Sequence, residues 1–254
     1  MRIDPEQTVA RIGIDDPRSL VLFDRFGLDY CCGGTRTLRR ACEAAGVDLA
    51  KMQRELEALS ESASTGERDW GAATMTELAD HIEHTHHVFV RETFARLAVL
   101  VPKVAGHHGA AHPELFQLEK TVRRLAEEMH DHMIREDRVL FPWLRRLDRK
   151  SEIHTGPPWS VRRPIDCMMH DHDEVGKMLR EIRGLTDNFT PPPGACASFR
   201  VMVSLLAELE RDTHVHVHKE NNILFPAGVR AEAAEMERRG AIQGNTAGVA
   251  PGCT

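Results

Sequence analysis

From Thr74 onward the apolar positions step by three and four, the spacing that puts side chains on one face of an α-helix. In one segment the stripe runs Leu115, Leu118, Val122, Leu125, Met129 and then, without losing step, His132, Glu136 and Val139. The same steps return 84 residues later as Phe199, Met202, Leu206, Leu209, Thr213, His216, Glu220 and Ile223. Both stripes end in Leu-Phe-Pro, at Leu140-Phe141-Pro142 and Leu224-Phe225-Pro226. The preceding segments match at an offset of 85, with His87, Val90, Phe94 and Leu97 against His172, Val175, Leu179 and Ile182. Two αα-hairpins, each half of a four-helix bundle, account for this repeat. The predicted long helices cover about 75–104, 113–148, 164–186 and 197–239, joined by loops near 105–112, 154–163 and Pro191-Pro192-Pro193-Gly194.

Ahead of the bundle the pattern is of short helices. Asp16-Pro17 is a capping residue followed by a first-turn proline, Gly27 stops the segment, and 37–46 and 48–60 repeat the scheme. Between them lies Asp29-Tyr30-Cys31-Cys32-Gly33-Gly34, a loop. The chain is expected to be all-α: a small helical domain over 1–62, a Ser/Thr/Gly-rich linker over 63–74, a bundle over 75–239 and a disordered polar tail over 240–254. Thr74 and Glu77 predict a capping box at the start of the bundle.

Composition narrows the function. With 41% hydrophobic and 28% charged residues the 254-residue chain is expected to close a core and stay soluble. Its net charge of −6 gives no basic excess for nucleic acid or an anionic membrane, and neither a signal peptide nor a membrane span is legible. Six scattered cysteines predict free thiols in a reducing compartment, hence a cytoplasmic location. The histidines stand out: all 15 fall between His81 and His218, against a single tyrosine.

His132/Glu136 and His216/Glu220 lie inside apolar stripes, where an unpaired carboxylate would cost several kcal/mol. Something must neutralise them. His87 and His172 occupy the equivalent stripes of the partner helices, so four imidazoles and two carboxylates can converge on the bundle axis. Such a set predicts a dinuclear site with terminal histidines and bridging glutamates, suited to iron or manganese and also admitting zinc. His81, His84, His86, His130, His170, His214 and His218 fall off the stripes and are read as surface or supporting residues. His107 and His108, at the end of the first hairpin's connection, leave open a seventh, asymmetric ligand.

These residues resemble the repair-of-iron-centres proteins, di-iron hemerythrin-like bacterial proteins associated with restoring iron–sulfur clusters after nitric oxide or oxidative damage. The resemblance spans about 7–228 and rests on Asp29-Tyr30-Cys31-Cys32-Gly33-Gly34, His132-x3-Glu136 before Leu140-Phe141-Pro142, and His216-x3-Glu220-Asn221-Asn222 before Leu224-Phe225-Pro226. It implies two iron ions held by His87, His108, His132, Glu136, His172, His216 and Glu220. Oxygen-carrying hemerythrins end their second motif in Asp one residue farther on, which disfavours a plain oxygen carrier here.

Cys31 and Cys32 either pack as inert apolar side chains or carry thiol chemistry with a partner, a metal or nitric oxide, with Cys42 as a resolving thiol. Cys167, Cys196 and Cys253 have no such context. Three functions are compatible with these residues: an iron donor to damaged iron–sulfur proteins, a di-iron enzyme reducing nitric oxide, or a scavenger or sensor of nitric oxide or oxygen. The cysteine domain favours the first, since a gas carrier has no need of it.

Overall fold

The structure, a computed structural model, describes residues 3–61, 68–149 and 160–246. Four helices come first: α1 (Val9–Asp15), α2 (Ser19–Phe26), α3 (Leu38–Ala45) and α4 (Leu49–Glu61). Thr8 and Thr37 cap α1 and α3 by accepting backbone N–H bonds, and Gly27 and Gly46, at φ +69° and +66°, end α2 and α3 in the left-handed region. Their apolar faces enclose one core around Phe23, Tyr30, Leu38 and Met52.

The bundle comes next. Its first long helix is α5 (Met75–His81), a π turn (Ile82–His87) and α6 (Val88–His108), opened by the expected Thr74/Glu77 capping box. Its second is α7 (Glu114–Arg135), a π turn (Glu136–Leu140) and α8 (Phe141–Asp148). The third, α9 (Arg162–Leu185), is uninterrupted, and the fourth is α10 (Ala197–Lys219), a π turn (Glu220–Leu224) and α11 (Phe225–Thr246). The four pack in a closed ring, α6 on α7, α7 on α9, α9 on α10 and α10 on α6. None of the described helices is long and apolar enough to cross a membrane.

The bundle core is divided. One apolar cluster fills the end containing Leu97, Leu118, Leu179 and Leu206, and a second the end containing Leu78, Phe141, Leu144 and Phe225. Between them sits a polar layer. Each fully buried Leu or Phe on either side contributes roughly 1.5–3 kcal/mol, and that packing holds the layer's side chains in place.

The π turns change the register. Each accommodates one extra residue, rotating the succeeding helical turns by about 100°. The stripe expected to continue through Val139 passes instead to Leu140, so that Val139 is 43% exposed and Leu140 2%. Likewise Leu224, not Ile223, enters the core. Pro142 and Pro226 then sit in the first turn of the resuming α-helices, where a missing N–H costs least.

Other boundaries differ from expectation as well. The first hairpin's loop is shorter, because α6 stays helical through His108. Of the expected disordered tail 240–254, residues 240–246 continue α11. The rest of that tail, including Cys253, lies outside the described residues, as do residue 62 of the first domain, 63–67 of the linker and 150–159 before α9.

Candidate metal centre

His87, His132, Glu136, His172, His216 and Glu220 meet in the polar layer, each at most 1% exposed. They form two overlapping groups whose candidate ligand atoms lie within 4.8 Å of one another: His87, Glu136, His216 and Glu220, and His132, Glu136, His172 and Glu220. Both glutamates belong to both groups. Glu136 Oε2 lies 3.4 Å from His87 Nε2 and 3.2 Å from His132 Nε2. Glu220 faces the other pair, with Oε1 3.0 Å from His216 Nε2 and Oε2 3.1 Å from His172 Nε2.

Each of three imidazoles has a polar support on its outer nitrogen. His87 Nδ1–H donates to Asp137 Oδ1 at 2.8 Å, and Arg91 clamps that carboxylate at 2.6 Å. His132 Nδ1–H points to Asp171 Oδ2 at 3.5 Å, itself held by Arg135 at 2.9 Å. His172 Nδ1–H donates to Asn221 Oδ1 at 2.9 Å. These contacts fix each tautomer with Nε2 turned inward. Phe141 stacks on His87 at 5.7 Å and 12°, and Phe225 on His172 at 6.0 Å and 1°, which explains the two Leu-Phe-Pro signatures. The phenyl rings close the layer against the apolar end of the bundle.

The halves diverge around His216. By the offset of 85, His86 stands where the other half has Asp171, and by the offset of 84, Lys219 stands for Arg135. His86 stacks on His216 at 5.3 Å and 7° and bonds Asp212 at 2.9 Å. Lys219 Nζ donates to the Nε2 atoms of His81 and His86, both at 2.8 Å. Burial, with the Lys219 charge, holds His81 down at about 4, and burial also lowers His86.

The electrostatics call for a cation. Burial pushes His87 and His132 toward neutrality, but neighbouring carboxylates outweigh it: Asp137 and Glu136 raise His87 to about 9, and Glu136 and Asp171 raise His132 to about 10. Burial pushes Glu136 and Glu220 up, yet the surrounding imidazoles hold both below the usual carboxylate range. Both Glu136 oxygens, Glu220 Oε2 and His87 Nε2 nevertheless lack a hydrogen-bond partner. Buried orphan acceptors beside inward imidazole nitrogens are the donor set that a pair of divalent cations satisfies.

His108 is not among them. It ends α6, 21 residues beyond His87, about 30 Å along the helix at 1.5 Å per residue. There its Nε2 lies 3.2 Å from Cys196 Sγ and its ring packs edge-on to Phe199. His107 packs against His108 at the same end. The seventh ligand implied by the resemblance is therefore not brought to the centre.

The remaining histidines divide by place. His84, His130 and His170 are exposed. His81 stacks on Trp70 at 4.0 Å. His214 and His218 dock the first domain: Tyr30 packs edge-on between them, His214 Nδ1 bonds Asp24 at 2.8 Å, and His218 Nδ1 faces the Tyr30 carbonyl at 3.4 Å. Burial takes His218 down to about 4.

That docking brings Cys31 and Cys32 beside the centre. Asn222 Nδ2 donates to the Tyr30 and Cys31 carbonyls at 3.1 and 3.3 Å, and a Cβ on Gly34 would lie 2.5 Å from Asn222 Oδ1, so the glycine permits the approach. Asn221 Nδ2 also donates to the Cys31 carbonyl, at 3.3 Å. Cys31 and Cys32 form a third group with Asp29, which the sequence did not single out. Cys42 is 1% exposed in the core of the first domain and packs as an apolar side chain.

Comparison with known proteins agrees with this layout. Residues 78–228 match the Hemerythrin HHE cation binding domain, and 5–60 match an N-terminal domain of unknown function, DUF542. The chain is 35% identical over 227 residues to the iron-sulfur cluster repair protein YtfE of Cronobacter sakazakii, covering 89% of this chain and 98% of the relative. It is 32% identical over 228 residues to that of Musicola paradisiaca, with 90% and 98% covered, and 34% identical over 227 residues to that of Escherichia coli O157:H7, with 89% and 98% covered. The chain belongs to the hemerythrin-like repair-of-iron-centres family, the family of these relatives.

Proposed function

We propose that the chain holds two iron ions and repairs iron–sulfur clusters damaged by nitrosative or oxidative stress, acting as iron donor in the cytoplasm. The observation that carries this reading is the pair of four-residue groups sharing Glu136 and Glu220, with their orphaned buried atoms. One ion would take His87 and His216, the other His132 and His172, and the glutamates would serve both. When bound, such a pair supplies Lewis acidity and one-electron chemistry. The chain's own residues do the rest. Asp137, Asp171 and Asn221 orient the imidazoles, His87 and His132 together with Arg91 and Arg135 keep the supporting aspartates ionised, and Phe141 and Phe225 exclude water from one side. Cys31 and Cys32 supply thiols next to the centre. The names of the relatives support a damaged iron–sulfur protein as the recipient, and in this reading nitric oxide or oxygen is the small ligand.

The test is reactivation of a nitric-oxide-damaged iron–sulfur hydratase under anaerobic conditions by the iron-loaded chain. Recovery should exceed that given by an equal amount of free ferrous iron and should vanish with Glu136→Ala. Recovery no better than free iron would end the donor reading. Continuous nitrous oxide formation would move the assignment to a reductase.

A further inference from the structure

The Asp29–Cys32 loop borders a cavity of about 450 Å3, closed on the other side by α9 and α10 of the bundle. That volume falls in the range of small-molecule sites. Cys31 and Cys32 line it, and Arg25, Arg180 and Arg183 face it.

The charges around the cavity are unevenly used. Asp24 accepts from the Tyr30 hydroxyl at 3.2 Å and from His214 Nδ1 at 2.8 Å. Asp29 Oδ1 accepts the backbone N–H groups of Cys32 and Gly33 at 3.0 and 2.9 Å. Glu210 is held by Arg183, with Nε at 3.1 Å. All three acids thus have local donors. Arg25 and Arg180, both exposed, form no ion pair among the described residues, and Arg25 only covers the Phe26 ring at 5.5 Å. Two unspent guanidinium groups therefore share a small cavity with a vicinal thiol pair.

The sulfurs are not equivalent. Cys31 is the more enclosed, with Sγ 3.5 Å from Asp29 Oδ1 and 4.0 Å from Cys32 Sγ. The Cys32 sulfur, burial and the Asp29 charge hold the Cys31 thiol well above its usual range, so that it stays a donor to its neighbour. Cys32 is the more open.

We propose that this cavity binds a small disulfide bearing carboxylates, which pair with Arg25 and Arg180, and that Cys32 exchanges with it. The proposal rests on the reading of the cysteines as working thiols and is independent of the metal. In the forward step the Cys32 sulfur attacks one sulfur of the disulfide. A Cys32 S–S bond forms, the original S–S bond breaks, and its electron pair leaves on the second sulfur, which takes up the proton lost by Cys32. The Cys32 sulfur is oxidised and the released thiol is the reduced product, so no other oxidant is consumed.

Three disulfides of similar size test this on the full chain: anionic dithiodiglycolate, neutral 2-hydroxyethyl disulfide and cationic cystamine. Mixed-disulfide formation is followed by intact mass and located by peptide mass, with the exposed Cys167 as an internal reference. Relative to Cys167, Cys32 should react roughly tenfold faster with the anionic than with the cationic reagent at low salt. High salt, or Arg25→Ala with Arg180→Ala, should bring that ratio near one. Cys31→Ser should keep the adduct and Cys32→Ser should remove it from the loop. No charge preference, a preference for cystamine, or an adduct on Cys31 instead would overturn the proposal. Any of these would leave iron content and cluster repair unchanged, whereas failed repair with normal exchange would strike the donor reading alone.

Discussion

Glu136 and Glu220 face each other as the two members common to both four-residue groups, and no other residue is shared. Loss of one should therefore cost both ions. Glu136→Ala is expected to bring the iron content from two per chain to near zero, whereas His87→Ala should leave the His132/His172 place occupied. Metal analysis of freshly purified protein decides it, and a Glu136→Ala variant that kept both ions would refute the sharing.

His108 is bonded to Cys196 at the far end of α6. His108→Ala should leave both iron content and the rate of iron release to a chelator at wild-type values. Accelerated release would return the residue to the centre.

The metal-free protein should lose stability in alkali. His87 and His132 titrate at about 9 and about 10, above the 6.5 of an unfolded chain, so their contribution is complete below pH 6.5 and disappears as pH rises through 9 to 10. Glu136 and Glu220, held below 4.5, contribute above that value and lose their contribution as pH falls through the lowered folded values. Melting of chelator-treated protein should accordingly fall between pH 7 and 10. Iron requires neutral imidazoles, so binding at neutral pH should release about two protons, measurable in weak buffer. A flat melting profile, or uptake of protons, would count against these ionisation states.

The register change makes a paired prediction. Leu140→Ala should cost about 2–5 kcal/mol, while Val139→Lys should cost under about 0.5 kcal/mol. Chemical denaturation of the two variants compares them, and a reversed order would mean that the helix continues without the extra residue.

This pair also shows what the sequence conceals. The steps of three and four reach Glu136 and Glu220, which the structure buries in the polar layer, because up to those residues the backbone is an ordinary α-helix. Beyond them the period breaks, and the signal available was Pro142 or Pro226 inside an otherwise helical pattern. His86 lies one position off the stripe yet is 4% exposed, since the π turn that ends at His87 brings adjacent residues inward together. Asp137, Asp171 and Asn221 were invisible as supports, because a polar residue beside a stripe reads the same whether it faces water or a neighbouring imidazole. His107 and His108 were offered by their place at the first hairpin's connection, resemblance chose His108, and no helical periodicity connected either to the others.

Asn221→Asp should keep an acceptor for His172 but remove the donor to the Cys31 carbonyl. Iron should be retained while amide exchange across 29–34 quickens, partly restrained by the Asn222 bonds to the same loop. Unchanged exchange would show that Asn222 alone holds the loop.

The two copies of the repeat carry Asp at 137 and Asn at 221 in the same place. A carboxylate accepts on both atoms, so Asp137 can only brace His87 and be braced by Arg91. An amide accepts on one atom and donates from the other, and Asn221 spends the first on His172 and the second on the thiol loop. Replacing an oxygen by a nitrogen thus turns a brace into a hinge pin. Two four-residue groups with the same types of side chain thus acquire different addresses: one lies nearest the cysteine loop, the other nearest His86 and Lys219, and a bundle built on a repeat gains a front and a back.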